Sequence, residues 1–180
     1  MRRLEFAPQT RLIDKNPLNI LRLPVIKRLF PNAKILLVIR HPCDVIVSCF
    51  MQHFRAPDFA LLCTDIPTLA RSYRKTYDFW YSQQAMLRAD VFELRYEHFV
   101  EDFAAYTRRV FDFLQVTWDE AVLSPAKRAE EKRFISTPSY SQVVQPVSGN
   151  AVGRWSHYRA HFETSLPILM PYLKGWDYPA

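Results

Sequence analysis

The run 34–39, which reads KILLVI, gives a clear strand signal because it is apolar after its first residue and rich in β-branched side chains. Strands that are apolar at successive positions are typical of parallel sheets, in which both faces are covered. The run ends at 40–42 (RHP), where proline and the nearby Asp44 favour a helix that continues to about His53. This order of strand, turn and helix predicts a ligand site at the carboxyl end of the strand.

Hydrophobic periodicity and proline positions predict the other elements. Residues 91–96 (VFELRY) predict a second strand and 11–14 (RLID) a short third one. In 65–88, aromatic and aliphatic residues recur at helical spacing, which predicts a long helix with an aromatic face in the core. The remaining predicted segments are short helices at 17–22 and 24–30, a loop at 54–64, a helix at 101–115, a partly helical stretch at 124–134 and a helical tail at 154–176. Strands alternating with helices predict an α/β fold with a mainly parallel sheet.

The segment 136–153 differs from the rest because it is polar, rich in serine and proline, and without helical periodicity. A long loop within a compact domain is usually functional or disordered. The length of 180 residues suits a single domain, which we place at 11–180, behind a poorly determined N-terminal segment at 1–10.

Composition and charge narrow the classes of function. With 49% hydrophobic residues, the chain is too apolar to be disordered. The net charge of +6 suits an anionic ligand, either a nucleotide or a nucleic acid, and also fits a solvated basic surface. No run of Lys and Arg and no RNA-binding aromatic signature occurs, so we expect no nucleic-acid partner. Phosphate-cradling loops usually need several glycines, and the whole chain has three.

Cysteine and histidine spacing does not indicate a metal site. Cys43, Cys49 and Cys63 are an odd number without ligand spacing, and we interpret the first two as small apolar residues of a buried helix. Reduced cysteines favour a cytoplasmic protein, and no stretch has the length of a membrane span or the form of a signal peptide. The motifs G-x-x-x-x-G-K-[ST] of P-loop kinases and G-x-S-x-G of hydrolases are absent.

Arg40 and Ser48 form the first candidate site. Arg40 ends the predicted buried strand and Ser48 lies two turns into the following helix. A guanidinium, a hydroxyl and the free N–H groups of the helix N-terminus together suit a phosphate. Asp44 would oppose a phosphate unless it caps its own helix, which its position allows. Taken alone, an arginine at a strand end is more often structural.

These residues also carry a family resemblance. The segment I-R-H-P-x-D-x-x-x-S, at 39–48, resembles the 3′-phosphate motif of sulfotransferases that use 3′-phosphoadenosine-5′-phosphosulfate (PAPS). The resemblance implies that Arg40 and Ser48 bind the 3′-phosphate of the donor. The segment 14–19 (DKNPLN) is similar to a second motif of that family, which implies that Lys15 offsets charge on the transferred sulfuryl group. Without the family context, Lys15 reads as a surface residue beside a helix cap.

Two further segments extend the resemblance over nearly the whole chain. R-Y-E at 95–97 looks like a family segment whose tyrosine contacts the nucleotide, which implies that role for Tyr96. T-P-S-Y-S-Q-V-x-Q-P-x(6)-G-R-W-x-x-Y resembles the closing loop of tyrosylprotein sulfotransferases and of bacterial relatives with tetratricopeptide repeats. The resemblance implies that this loop covers the donor, with Arg154 near its phosphates. We interpret Trp155 and Tyr158 as residues that anchor the loop by packing. The implied donor-binding residues of the loop are Ser139, Gln142, Gln145, Pro146 and Arg154.

The sequence departs from the family pattern in two places. The family's loop G-x-x-R-S-G-T-T, which holds the 5′-phosphosulfate, is not found in 1–10, and no general base can be assigned. We therefore expect a P-loop NTPase-like parallel sheet that is incomplete at its N-terminal strand–loop–helix unit, with weak transferase activity and a tendency to self-associate. The family implies a metal-free reaction that releases 3′-phosphoadenosine-5′-phosphate (PAP), a hydroxyl acceptor on a peptide, sugar or small molecule, and a homodimer. The alternative is a non-catalytic nucleotide-binding module.

Overall fold

The computed structural model describes residues 10–54, 57–87, 90–126 and 146–180. Within them, residues Pro17–Arg22, Glu120–Leu123 and Arg154–Phe162 form 3₁₀ helices. The other elements are α1 (Leu23–Leu29), β1 (Ile35–Ile39), α2 (Pro42–Phe50), α3 (Pro57–Leu62), α4 (Ile66–Leu87), β2 (Val91–Arg95), α5 (Tyr96–Glu101), α6 (Phe103–Leu114) and α7 (Leu166–Gly175). Helices at 17–29, 42–50 and 66–87, both central strands and the helical tail confirm the corresponding predictions.

Strands β1 and β2 pair in parallel, in a register that runs from Ile35 with Val91 to Ile39 with Arg95. The long helix α4 connects them, as a parallel pair requires a crossover between its strands. The structure thus confirms a mixed α/β arrangement around a small parallel sheet. Both carboxyl ends lie at the same edge of this sheet, so Arg40 and Tyr96, which follow the paired residues, come side by side.

One face of β1 is covered and the other is not. Leu37 and Ile39 are buried with Trp80 and Leu87, whereas Leu36 and Val38 are 41% and 54% exposed. The expectation that this strand is buried on both faces is therefore wrong. In the described part of the chain, α4 covers the face that carries Leu37 and Ile39. On the opposite face, α6 packs against β2, where Phe92 contacts Phe113, but it leaves Leu36 and Val38 of β1 in contact with solvent.

The main core lies between α2, α4, α7 and the 3₁₀ helix Arg154–Phe162. Fully buried side chains include Cys43 and Ile46 from α2, Phe162 from the 3₁₀ helix and Leu173 from α7. Apolar residues of all four elements meet in this cluster, and their burial favours the packing of these elements against one another. The core thereby fixes α2, whose first residues follow Arg40, against the segment that begins at Arg154.

Two local predictions are wrong. Residues 11–14 form no strand: they are exposed, and Arg11 instead donates hydrogen bonds to the carbonyls of Leu114 and Gln115 at the end of α6. A guanidinium there satisfies carbonyls that a helix end leaves unpaired. The predicted loop 54–64 contains helix α3, which begins at Pro57, a residue suited to a first helical turn.

The region predicted as one helix at 101–115 is two helices, because α5 ends at Glu101 and α6 begins at Phe103. Asp102 separates them and caps α6 by accepting a 3.1 Å hydrogen bond from the Ala105 N–H. Of the segment predicted as partly helical, 127–134 lies outside the described residues.

Candidate functional site

The carboxyl ends of β1 and β2 bring Arg40 and Tyr96 together. The guanidinium carbon of Arg40 lies 4.9 Å from the centre of the Tyr96 ring, within the range of a cation–π contact. Parallel pairing of Ile39 with Arg95 places the next residue of each strand at one edge, which explains this contact. The structure therefore joins two residues that the sequence resemblance assigned to the same ligand.

Hydrogen bonding and charge hold the Arg40 guanidinium in place, but one of its N–H donors has no partner among the described residues. Its Nη2 donates to the Ala151 carbonyl and lies 4.0 Å from Asp44 Oδ2, and the side chain is 17% exposed. Its Nε is buried and has no hydrogen-bond partner among the described residues. Buried donors are nearly always paired, so an unpaired guanidinium N–H at a strand end suits an anionic ligand.

Asp44 does not cap its own helix. Its buried carboxylate accepts hydrogen bonds from the N–H groups of Gly153, at 2.7 Å, and Trp155, at 2.8 Å. The cap position is occupied by His41, whose Nδ1 accepts from the Cys43 N–H at 3.2 Å. The expectation that Asp44 could act as a cap is therefore wrong, and its carboxylate instead anchors the residues around Arg154.

The N–H groups at the N-terminus of α2 donate to other groups of the protein. The His41 N–H donates to Glu97 Oε1 at 2.9 Å, Pro42 has no N–H, and the Cys43 N–H is taken by the His41 ring. His41 Nε2 lies 2.9 Å from the Pro179 carbonyl, which can only accept, so the proton sits on Nε2 and leaves Nδ1 free to accept. The prediction that these first N–H groups hold a phosphate is therefore not met at positions 41–43, and the His41 ring instead stabilises the turn before α2.

The C-terminal tail closes the same edge of the sheet, which the sequence did not indicate. The Tyr178 hydroxyl donates to Glu97 Oε2 at 2.6 Å, and Arg95 Nη2 donates to the Trp176 carbonyl at 2.6 Å. Burial and the bond to the Glu97 carboxylate raise the pKa of Tyr178. No local pattern marks these contacts, since they link residues 81 positions apart. Glu97 thus connects the start of α2 with the C-terminal tail.

The predicted residues Ser48 and Lys15 are both exposed. Ser48 lies on α2, two turns after Arg40, with its hydroxyl available to solvent. Lys15 precedes the helix Pro17–Arg22 in a turn closed by Asn16, which accepts from the Leu18 N–H at 2.9 Å. Among the described residues, no hydrogen bond or ion pair joins Lys15 to the strand-end residues, so its implied role remains a prediction.

Part of the predicted closing loop can be located. Ser139, Gln142 and Gln145 lie outside the described residues, whereas Pro146 is exposed and Arg154 is partly buried. Arg154 follows Gly153, whose φ of 72° favours glycine, and its Nη2 lies 3.3 Å from Met51 Sδ.

Trp155 confirms its predicted packing role. Its side chain is buried, and its ring stacks on His41 with a centroid distance of 5.0 Å. The stacking fixes the segment after Arg154 against the start of α2.

An open cleft of about 470 Å³ borders this segment. Its lining is mostly apolar and comes from α2, the start of α4 and the 3₁₀ helix after Arg154. The lining residues are Val47, Phe50, Met51, Thr64, Asp65, Ile66, Pro67, Tyr158 and His161. Arg154 contacts Met51, which is one of these lining residues.

The environment of two cysteines of α2 favours the neutral thiol, which agrees with their interpretation as small apolar residues. Burial, reinforced by the Asp44 charge, raises the pKa of Cys43 to about 12, and burial raises the pKa of Cys49 to about 11. The described residues contain no group of three or more His, Cys, Asp or Glu side chains that could hold a metal ion. Over the same ranges, no helix combines the length and the apolar character needed to cross a membrane.

The chain is similar to one family model and to several known proteins. The model described as "Sulfotransferase family" matches residues 2–120. The chain is 27% identical over 173 residues to an uncharacterized protein of Aquifex aeolicus, covering 94% of this chain and 22% of that protein. It is 28% identical over 148 residues to protein-tyrosine sulfotransferase A of Caenorhabditis elegans, covering 81% of this chain and 38% of that protein. It is 25% identical over 166 residues to protein-tyrosine sulfotransferase of Drosophila melanogaster, covering 82% of this chain and 30% of that protein.

The chain thus spans less than two-fifths of the length of these relatives. The residues matched by the family model include both strands and Arg40. This chain belongs to the sulfotransferase family.

Proposed function

We propose that the chain binds the 3′-phosphate end of PAPS and contributes that site to the transfer of a sulfuryl group to a hydroxyl. The observation that carries the proposal is the Arg40 guanidinium, which lies at the carboxyl end of a parallel strand pair with a buried, unpartnered Nε–H in the described part of the chain. Ligands of α/β proteins bind at this edge of the sheet. A phosphate oxygen would bind to the part of the Arg40 side chain that is exposed, which is 17% of it.

The surroundings of Arg40 fit a phosphate better than a neutral group. The Ala151 carbonyl and the Asp44 carboxylate hold the guanidinium on one side, and the Tyr96 ring contacts it at 4.9 Å. A charged donor that is already oriented loses little freedom when an anion binds. Ser48 is the second proposed phosphate ligand, since its exposed hydroxyl lies on the helix that Arg40 precedes.

The remaining assignments follow the family. Tyr96 and the loop residues Ser139, Gln142, Gln145 and Pro146 would enclose the nucleotide, and Lys15 and Arg154 would offset negative charge near the sulfuryl group. PAPS supplies the sulfuryl group, and PAP is the product that remains. Cationic side chains can stabilise such charge without a metal ion. The proposed fold is the P-loop NTPase-like sheet of that family, of which β1 and β2 are two strands.

The acceptor is proposed to be a hydroxyl, and a tyrosine hydroxyl is the first to test. The relatives from Caenorhabditis elegans and Drosophila melanogaster are both named protein-tyrosine sulfotransferases. These relatives are much longer than the matched region, so the acceptor assignment rests on their names alone.

Calorimetric titration of PAP into the chain tests the proposal. Arg40→Ala removes hydrogen bonds to a charged group, worth about 1.5–3 kcal/mol, so PAP should bind about 10- to 150-fold more weakly. Arg40→Lys keeps the charge without the planar fork and should recover part of the affinity. Arg28→Ala, an exposed arginine on α1, is the matched control and should bind like the wild type.

Two results would count against the proposal in different ways. Equal PAP affinity in Arg40→Ala and the wild type, or no binding by either, would exclude the 3′-phosphate site. PAP binding without transfer from radiolabelled PAPS to a tyrosine peptide would instead favour a non-catalytic nucleotide-binding module.

A further inference from the structure

A single buried carboxylate connects the strand end to the segment that carries Arg154. Asp44 Oδ2 lies 4.0 Å from Arg40 Nη2 and accepts from the Gly153 N–H, while Oδ1 accepts from the Trp155 N–H. Its side chain has no exposed surface. Both oxygens are therefore engaged with the two amides that flank Arg154, and one of them also faces the Arg40 guanidinium.

A buried negative charge beside a phosphate site needs an explanation, because it would repel the ligand. Hydrogen bonds from two amides and the nearby guanidinium stabilise the Asp44 charge within the protein. The same carboxylate that anchors the turn also faces Arg40, whose Nε is buried without a partner in the described part of the chain. The position of Asp44 between Arg40 and the Arg154 turn suggests that it sets their relative placement.

We propose that Asp44 is a positioning residue of the donor site, which orients Arg40 and fixes the turn at Gly153 so that Arg40 and Arg154 face the same anionic ligand. This inference rests on the proposed binding of PAP. Gly153 adopts a φ of 72°, so the direction of the chain at Arg154 depends on this turn. Asp44 does not touch the ligand: it acts through the two arginines.

Asp44→Asn is the direct test, because asparagine retains the size of the side chain but has one accepting oxygen in place of two. The expected result is about tenfold weaker PAP binding by calorimetry, equivalent to about 1.4 kcal/mol. Adenosine 5′-monophosphate, which lacks the 3′-phosphate, should lose less affinity. Hydrogen exchange at the Gly153 and Trp155 amides should become faster without any ligand.

Two controls separate positioning from stability. Glu163→Gln makes the same change of charge at an exposed site and should leave PAP affinity unchanged. Ile46→Val lowers stability in the core of the same helix, by about 0.5–1.5 kcal/mol, and should lower the melting temperature without changing PAP affinity.

A second variant keeps the inference testable if Asp44→Asn does not fold. Gly153→Ala strains the same turn from the loop side, and the added Cβ meets no atom within 4 Å. It should also weaken PAP binding, and where the Asp44→Asn protein folds, the two effects should be less than additive.

Different experimental results would overturn the inference and the proposed function. Wild-type PAP affinity in a folded Asp44→Asn protein, or in Gly153→Ala if the first variant is unfolded, overturns the inference alone. Absence of PAP binding by the wild type overturns both the proposed function and the binding role of Asp44.

Discussion

Replacing Ser48 by alanine removes one hydroxyl from an exposed position of α2 and leaves the contacts around Arg40 unchanged. If this hydroxyl donates to the 3′-phosphate, its loss removes one hydrogen bond to a charged group, worth about 1.5–3 kcal/mol. PAP should then bind about 10- to 150-fold more weakly. The fold should tolerate the change, because alanine is the better helix former by about 0.5 kcal/mol or less and the position is not in the core.

The assay is calorimetric titration of PAP and of adenosine 5′-monophosphate into the wild type and Ser48→Ala. The two nucleotides differ in the 3′-phosphate, so the variant should lose affinity for PAP and retain its affinity for the monophosphate. Ser124→Ala removes an exposed hydroxyl after the 3₁₀ helix Glu120–Leu123 and serves as the matched control. Thermal melting of all three proteins shows whether each variant is folded.

Three results would refute the role of Ser48. The first is an unchanged PAP affinity in a folded Ser48→Ala protein. The second is an equal loss for both nucleotides, which would indicate a general change of the pocket. The third is a comparable loss in Ser124→Ala, which would remove the specificity of the effect.

Two further predictions concern the tail and the alkaline limit of stability. Glu97→Gln replaces the charged acceptor of the Tyr178 hydroxyl and should lower the free energy of unfolding by about 1–3 kcal/mol; an unchanged urea midpoint and slope would contradict it. Burial raises the pKa of Cys49 to about 11, and that of Cys43 and Tyr77 to about 12. The pKa values of these groups are higher in the folded protein than their ordinary values, which are 9.0 for cysteine and 10.0 for tyrosine. Their contribution to the stability of the folded state is therefore complete below the ordinary pKa and is lost as the pH rises through the folded-state pKa. Stability should therefore fall above pH 9, by up to about 1.4 kcal/mol per pH unit for each titrating group, and a flat urea-denaturation series to pH about 11 would contradict this.

Local patterns predicted the elements whose signal lies within their own residues. The apolar run of β1 and the aromatic spacing of α4 each have a strong period, and both appear within a residue or two of the expected bounds. The segment 11–14 has a strand-like composition, but nothing in the described residues pairs with it, and Arg11 is used at a helix end instead. A strand needs a partner, and composition alone does not supply one.

The site was predictable as far as it depends on strand ends. Arg40 and Tyr96 each follow a predicted strand, and parallel pairing makes them neighbours. The anchoring of Gly153 and Trp155 by Asp44 was not predictable, because the hydrogen bonds join residues 109 and 111 positions apart. Such contacts depend on how α2 packs against the last third of the chain. The spacing of residues within a single segment does not predict that packing.

The pairing of Ile39 with Arg95 also fixes the distance between Arg40 and Tyr96, the residues that follow them. A strand advances about 3.3 Å per residue and turns its side chain to the opposite face at each step. Deletion of one residue within β2 would therefore draw Tyr96 back along the sheet and point its ring away from Arg40. Insertions in the crossover between the strands, which leave this register unchanged, would leave the distance between the two side chains unchanged as well.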